Sequence, residues 1–562
     1  MTTDATSSQP PGPRPTPAPP RTSGSRARAL DALQGGAFDV LVVGGGILGA
    51  CVARDAALRG LSTALIERDD FGSGTSSNSL KVIHGGLRHL QHLDLGEFRR
   101  SVAERRRWLR IAPHLVEPLP VLVPFTTRSE GLQLRAGLAA NDLLSADRNR
   151  GLPIDRRLPG GRLLDRTEAA DRLGPLAAPD LRGAALYHDA LMYSAERLVL
   201  EVLLSARDEG AITVNHAECV GPLRDHRRQT GILVRDRLTA SEVPVCARCV
   251  VNACGPWGEE VEARILGGSG PEPGSRSGSL SLAWNLVLPD MGLTAAVALP
   301  GRSPTPTGSG GDRPRRLFLV PWRDRTLVGT GHAPFSGEPA GFTGMDADDP
   351  LIPSFLGELN DGLPGDPVTP GEILGIHAGL LPALSSGRED EGHVRLRRTP
   401  GVRVMEGEGI PLITLSTVKF TASRRVAEDA VDRVAKLLGR SGPGSRTADI
   451  PLPGAPAEGM AELIRTAHEE LSALLPSDVI DHLVRSHGTR WREIVAWSEF
   501  DPRWAERPFP DAPILRAQLL HGAAHEYAAT PEDLLYRRTE LGARRRVTSG
   551  CLDEARAVLD DS

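Results

Sequence analysis

The stretch SNSLKVIHGGLRHL, Ser77 to Leu90, sets Lys81, His84, Arg88 and His89 around two adjacent glycines. Cations and imidazoles this dense suit two tasks, steadying an anion and moving a proton. A salt-bridged surface helix is the plainer reading of such a run. Its setting argues for the chemical one. The run follows directly on the small hydroxyl residues Thr75, Ser76 and Ser77, and it has little to pack against a sheet. It is built to follow a long cofactor.

What precedes it is a nucleotide cradle. In FDVLVVGGGILGACVARDAALRGLSTALIERD, Gly44, Gly46 and Gly49 form a G-x-G-x-x-G turn between an apolar strand, Val40 to Val43, and a helix that stops at Gly60. The first glycine permits the tight turn, the second lets backbone approach a pyrophosphate, and the third lets helix and strand close together. The helix start then offers free N–H groups and a positive dipole end to phosphates. Glu67 closes the second strand, Thr63 to Ile66, where it would accept hydrogen bonds from ribose hydroxyls.

Further along, STVKFTASR puts Lys419 and Thr421 at the opening of a helix, a ready anion site. VVNACGPWG reads as a buried strand ending in a small-residue turn around Ala253 and Gly255. His377 and His332 sit in strand-like segments and are acid/base candidates, although a lone strand histidine is more often structural. Cys246 and Cys249 make a C-x-x-C with no matching second pair, so they read as strand cysteines and no metal is expected.

Four blocks together resemble the FAD-dependent glycerol-3-phosphate dehydrogenases, within the D-amino-acid-oxidase-like flavoproteins: the glycine turn, TSSNSLKVIHGGLRHL, VNACGPWGEEV and STVKFTASRRVAEDAV. EDLLYRRTELG is similar to that family's C-terminal helical domain, and the likeness runs from about Phe38 to about Leu559. It implies FAD held by Gly44, Gly46, Gly49, Glu67, Thr75, Ser76, Ser77, Lys81, Ala253, Gly255 and Thr421. His84, Arg88 and Lys419 would form the catalytic wall, with His377 as a base. The implied reaction is oxidation of sn-glycerol 3-phosphate to dihydroxyacetone phosphate by hydride transfer to FAD, with electrons passed to a quinone-type acceptor. A peripheral contact with the inner face of the cytoplasmic membrane and a homodimer belong to the same expectation. Two positions depart from the family pattern. Leu381, in GIHAGLLPAL, stands where a phosphate-binding arginine is expected, and Trp284 and Asn285 stand near an expected histidine. Arg323, Lys419 and Arg424 are the cations that would substitute. The alternatives are a diverged flavoenzyme for another polyol, hydroxy acid or amine, and a flavin-containing binding protein with little turnover.

These groups need elements to position them. The chain has 562 residues and 40% hydrophobic content, enough for more than one core. Its formal charge of −5 gives no basic footprint for nucleic acid, and six scattered cysteines suit a reducing cytoplasm. Residues 1–36, rich in Pro, Ser, Thr and Arg, read as a disordered tail. Residues 37–445 read as an α/β oxidoreductase region, with a Rossmann-type FAD-binding domain interleaved with an antiparallel-sheet substrate domain; RLFLVPWRDRTLVGTG supplies a hairpin turning at Arg323 to Arg325. Residues 446–562 read as a C-terminal helical domain, with Ser477 as an N-cap and Thr530, Pro531 and Asp533 as a second helix start. The loops GGSGPEPGSRSGS and PGRSPTPTGSGGDRPRR carry no assigned chemistry.

Overall fold

Val40–Val43 is buried at every position because it is the centre of a parallel sheet covered on both faces. It pairs with Thr63–Ile66 on one side and Val250–Asn252 on the other. Ile212–Val214 and Leu412–Ser416 extend the sheet in parallel, and Gly401–Met405 adds an antiparallel edge. The wholly buried helix Ile47–Leu58 follows the central strand and packs between helices Ala195–Asp208 and Ser423–Leu437. The computed structural model describes residues 25–561 apart from 91–92, 226–227, 269–278, 301–315, 385–394, 397–399 and 407–408. The two loops without assigned chemistry fall largely outside the described residues.

A second, mostly antiparallel sheet carries the other wall of the molecule. Its central strands are Gly375–Leu384, Ser279–Pro289, Arg325–Phe335 and Arg316–Trp322, followed by Ala296–Pro300, Val116–Phe125 and Gly183–Met192. The expected hairpin is present, with Arg323 in the left-handed region at φ 58° in its turn. A small four-stranded sheet, Glu242–Ala247 among its strands, shares the core of the parallel sheet through Ile232, Val234, Val243 and Val245, with Cys246 exposed and Cys249 buried beside it.

The C-terminal helices close around their own core, including Leu483, Trp491, Leu519 and Leu534. Ser477 is the first residue of helix Ser477–His487, with Pro476 at the cap, while Thr530 caps its helix and accepts from Asp533 N in a capping box. This domain is fastened to the first by buried arginines. Arg538 grips Asp70 with two hydrogen bonds, Arg197 reaches Glu526 at 2.7 Å, and Arg323 pairs with Glu540 at 3.1 Å.

One expectation about the tail is corrected. Ser25–Gln34 is a helix whose Ala29 and Leu33 are buried, and Arg26 bonds to Asn215 O and Asp236. Two apolar residues at helical spacing, plus one arginine with buried acceptors, suffice to dock a segment whose composition alone reads as unstructured. Residues 1–24 lie outside the described residues.

Burial holds several imidazoles neutral. His114 and His521 are pushed down to about 3 and His377 to about 4, chiefly by loss of hydration. An unfolded histidine titrates near 6.5, so on acidification the unfolded chain takes up protons first. Stability from these groups is therefore complete above about pH 6.5 and lost as pH falls toward about 4. Each removes up to about 2 kcal/mol between pH 6.5 and 5. The apparent Tm should be flat from about pH 7 to 8 and about 4 °C lower at pH 5; differential scanning fluorimetry across that range checks it, and a flat profile down to pH 5 would refute it.

Candidate active site

The cradle is shaped by what its glycines lack. A Cβ on Gly49 would stand 1.9 Å from Gly44 O, and one on Gly44, where φ is +106°, would stand 2.9 Å from the Ala253 carbonyl. Helix and strands therefore touch at backbone level. The Gly46 α-carbon opens toward Ser76, whose hydroxyl accepts from Ile47 N at the helix start. Glu67 accepts from Gly45 N at 2.6 Å and Asp69 N at 2.9 Å, and burial pushes its carboxyl above the ordinary range despite those donors. Gly44, Gly46, Glu67, Thr75, Ser76, Ala253 and Gly255 line one end of a cavity of about 2390 Å³. Cys254 lines it as well, its thiol against Val43 O and its pKa pushed far up by burial.

Three expected contacts do not reach this cavity. Gly49 lies beneath the turn, where it is needed for packing. Ser77 turns inward and donates to Gly72 O at 2.5 Å. Lys81, expected near the cofactor, is fully buried, with Nζ donating to Ser77 O at 2.6 Å and Glu196 Oε1 at 2.5 Å. A desolvated ammonium needs a carboxylate, and the one available lies behind the segment, on helix Ala195–Asp208.

The cavity continues past Thr75, which donates to Leu380 O, to the polar wall. His84 Nδ1 stands 3.1 Å from Asp189 Oδ2, and about half of the imidazole is exposed on the cavity side. Burial alone would raise the Asp189 carboxyl; His84, Arg105 and Gly85 N hold it at about 2. Arg88 and Lys419 also line the space, with Lys419 Nζ 2.7 Å from His89 Nε2, and Thr421 lies beside them. The helical turn that Lys419 opens is a short 3-10 segment, Phe420–Ala422, leading into Ser423–Leu437.

The sheet supplies the facing wall. His377, Asn285, Thr330, His332 and Leu381 all line the cavity. Asn285 Oδ1 accepts from Thr330 Oγ1 at 2.8 Å, and Ser281 Oγ meets His332 Nδ1 at 3.2 Å. Trp284 packs against Phe355 in the core on the other face, while Asn285 faces the cavity. His377 donates Nε2–H to Ala543 O at 2.8 Å, which leaves a buried Nδ1 as acceptor. Two expected phosphate cations are elsewhere: Arg323 stacks on Tyr193, and Arg424 is buried between Glu104 and Glu428. Their burial demanded acids, and the acids hold them away from the site.

Sequence reasoning missed Asp189, Arg105 and the Ala543 carbonyl, and it named Asn285 only as a departure from the family pattern. The available signal for Asp189 was one acid inside the mostly apolar, buried strand Gly183–Met192, which such a strand tolerates only with partners.

Residues 39–424 match the family described as FAD dependent oxidoreductase, and residues 445–561 match the C-terminal domain of alpha-glycerophosphate oxidase. The chain is 33% identical to a glycerol-3-phosphate dehydrogenase of Synechocystis sp., covering 92% of this chain and 90% of that one. It is 32% identical to glycerol-3-phosphate dehydrogenase 2 of Mycobacterium tuberculosis, over 90% of this chain and 81% of that protein. In fold it is similar to the FAD-complexed glycerol-3-phosphate dehydrogenase of Bacillus halodurans, with TM-score 0.71 and 24% identity over 95% of this chain and 93% of that one.

The cradle fits FAD on its own evidence: a glycine turn open toward Ser76, a helix start facing the cavity, and Glu67 lining it beside the turn. Gly46→Val would put a branched side chain into the space over Ser76, where a Cβ alone already stands 3.0 Å from its hydroxyl. Flavin content of the purified variant should fall at least about tenfold while the C-terminal helical core stays folded. Full flavin occupancy in that variant would show that phosphates bind elsewhere.

Proposed function

Because the chain belongs to the FAD-dependent oxidoreductases, in the glycerol-3-phosphate dehydrogenase family, we propose that it oxidises sn-glycerol 3-phosphate to dihydroxyacetone phosphate. The observation that carries this reading is the continuity of one cavity from the glycine turn to His84, His377 and Lys419. Bound FAD supplies the acceptor for the hydride that leaves the substrate's secondary carbon.

The residues of the chain do the rest. Loss of a hydride from the carbon requires loss of the hydroxyl proton, and His84 is the base: its Nδ1 is committed to Asp189, so Nε2 is the nitrogen that can receive the proton. His377 is less suited, because burial lowers it to about 4 and its conjugate acid forms poorly near neutrality. Its Nε2–H is spent on the Ala543 carbonyl and its Nδ1 is buried, so it ties the sheet to the C-terminal helices. Asn285 and Thr330 are neutral partners for hydroxyls. Lys419, steadied by His89, and Arg88 are the cations for the phosphate, in place of an arginine at Leu381.

The electron acceptor in this reading is a quinone. The cavity runs on beneath helix Arg128–Leu144, where Val123, Leu134, Leu138, Ala298 and Phe318 give it an apolar lining. Leu93, Leu132 and Leu143 are exposed nearby, a surface suited to peripheral contact with a membrane. Among the described residues, no helix is long and apolar enough to cross one.

Anaerobic addition of sn-glycerol 3-phosphate should bleach the flavin of the purified protein, and bleaching only by unphosphorylated polyols, hydroxy acids or amines would overturn the substrate assignment. Charge-assisted bonds are worth about 1.5 to 3 kcal/mol, so Leu381→Arg should raise kcat/KM for glycerol 3-phosphate by roughly ten- to a hundredfold, mainly through KM. An unchanged KM would place the phosphate away from residue 381. Leu134→Asp should slow turnover with a water-soluble quinone analogue at least about fivefold, relative to a small hydrophilic acceptor; equal loss with both would remove the quinone from that lobe.

A further inference from the structure

We infer that Asp189 and Arg105 are positioning residues that hold His84 as the proton acceptor, so that the base is a three-residue assembly drawn from three separated segments. The inference rests on the proposed oxidation, in which His84 receives the hydroxyl proton.

Asp189 is nearly inaccessible and satisfied on both oxygens. Oδ2 faces His84 Nδ1 at 3.1 Å; Oδ1 accepts from Arg105 Nη1 at 2.6 Å and from Gly85 N at 2.7 Å. The same Arg105 nitrogen donates to His188 O at 2.7 Å, which ties the guanidinium to the strand that carries Asp189. A carboxylate held this way accepts only from the imidazole N–H, so His84 is fixed in the tautomer whose other nitrogen is a free base toward the cavity. Once the proton moves from the substrate hydroxyl to Nε2, the imidazolium is stabilised by Asp189, which itself stays ionised. The proton balance closes on His84 alone.

The two glycines after His84 make the assembly sterically possible. A Cβ on Gly85 would fall 2.1 Å from Arg105 Nη1 and 2.4 Å from its Cζ, so only glycine lets the guanidinium lie under the turn. Gly86, at φ +85°, would place a Cβ 2.7 Å from Ser101 Cβ on the same helix as Arg105. Helix Leu95–Ile111 can thus press against the turn at backbone distance. His84 meets Asp189 from strand Gly183–Met192 and the Phe318 ring from strand Arg316–Trp322; Arg105 from this helix stands behind Asp189, and the charged residues Arg88 and Arg316 line the same cavity.

The test uses flavin-loaded protein with three variants. Asp189→Asn should lower kcat/KM for glycerol 3-phosphate about a hundredfold or more and move the acid limb of the pH profile down by about one unit, because the imidazolium loses its partner. Gly85→Ala should lower the rate by displacing Arg105 and move the limb the opposite way, upward, because the imidazolium then has one fewer cation near its carboxylate partner, and Asp189→Glu should recover part of the rate. Nitrogen-15 histidine spectra, with the His84 signal identified through His84→Gln, should show the Nδ1–H tautomer in wild type and its loss in Asp189→Asn. If glycerol 3-phosphate fails to bleach wild-type flavin, the substrate reading fails while the tautomer spectra still decide the assembly. An unchanged tautomer, or a rate loss with the acid limb unmoved, would reduce Asp189 to a purely structural role and overturn the inference.

Discussion

The ion pair between Lys81 and Glu196 is the contact on which the site depends. The segment from Glu67 to Leu90 is mostly irregular backbone squeezed between two sheets, where each polar group must find a partner. Lys81 sits in the left-handed region at φ 60°, a conformation that costs about 1 kcal/mol or more for a residue other than glycine. It is held there by Glu196 and the Ser77 carbonyl, both within 2.6 Å. Burial draws the ammonium below its ordinary range, and the neighbouring carboxylate keeps the pair charged. Removing either partner would leave an uncompensated buried charge, a loss of about 3 to 5 kcal/mol. With this point pinned, Thr75 and Ser76 face the cradle on one side while His84 and Arg88 face the reaction space on the other.

The same principle joins the C-terminal helices to the site. Arginines 197, 323 and 538 are buried at the junction, each opposite a carboxylate from the other domain. Such pairs stabilise only in one geometry, so they specify the docking more than they strengthen it. The docking matters chemically, because the Ala543 carbonyl orients His377 and Gly542, Ala543, Arg545 and Arg546 line the cavity. The helical domain therefore belongs to the active site as well as to the core.

Charge placement divides the cavity into three environments. The cradle offers backbone donors and a buried acid, the middle carries His84, Arg88 and Lys419, and the far lobe mixes Val123, Leu134, Leu138 and Phe318 with Glu130, Gln133 and Arg316. Leu381 stands on the sheet wall, and the cations Arg88, Lys419, Arg545 and Arg546 line the same cavity.

What could be read from the chain were the features whose physics is local. The glycine turn, the buried strand before it and the acid closing the next strand follow from steric and hydrogen-bonding rules within thirty residues, and so do the hairpin at Arg323 and the cap at Thr530. The cations were legible as types and misjudged as positions. Lys81, Arg323 and Arg424 carry charges that promise a ligand, but each met an acid distant in sequence, Glu196, Glu540 and Glu104. The helix at Ser25–Gln34 likewise needed Asp236 and Asn215 before it had anything to dock on. His84 was recognisable; Asp189, 105 residues away, was not, because a lone acid in an apolar strand names no partner until the sheet is assembled. The sequence by itself determined the cradle and the kinds of group around the reaction space. Only the tertiary structure decided which of those groups are spent on one another in the dry interior and which are left facing the cavity, since that choice is made by long-range charge pairing.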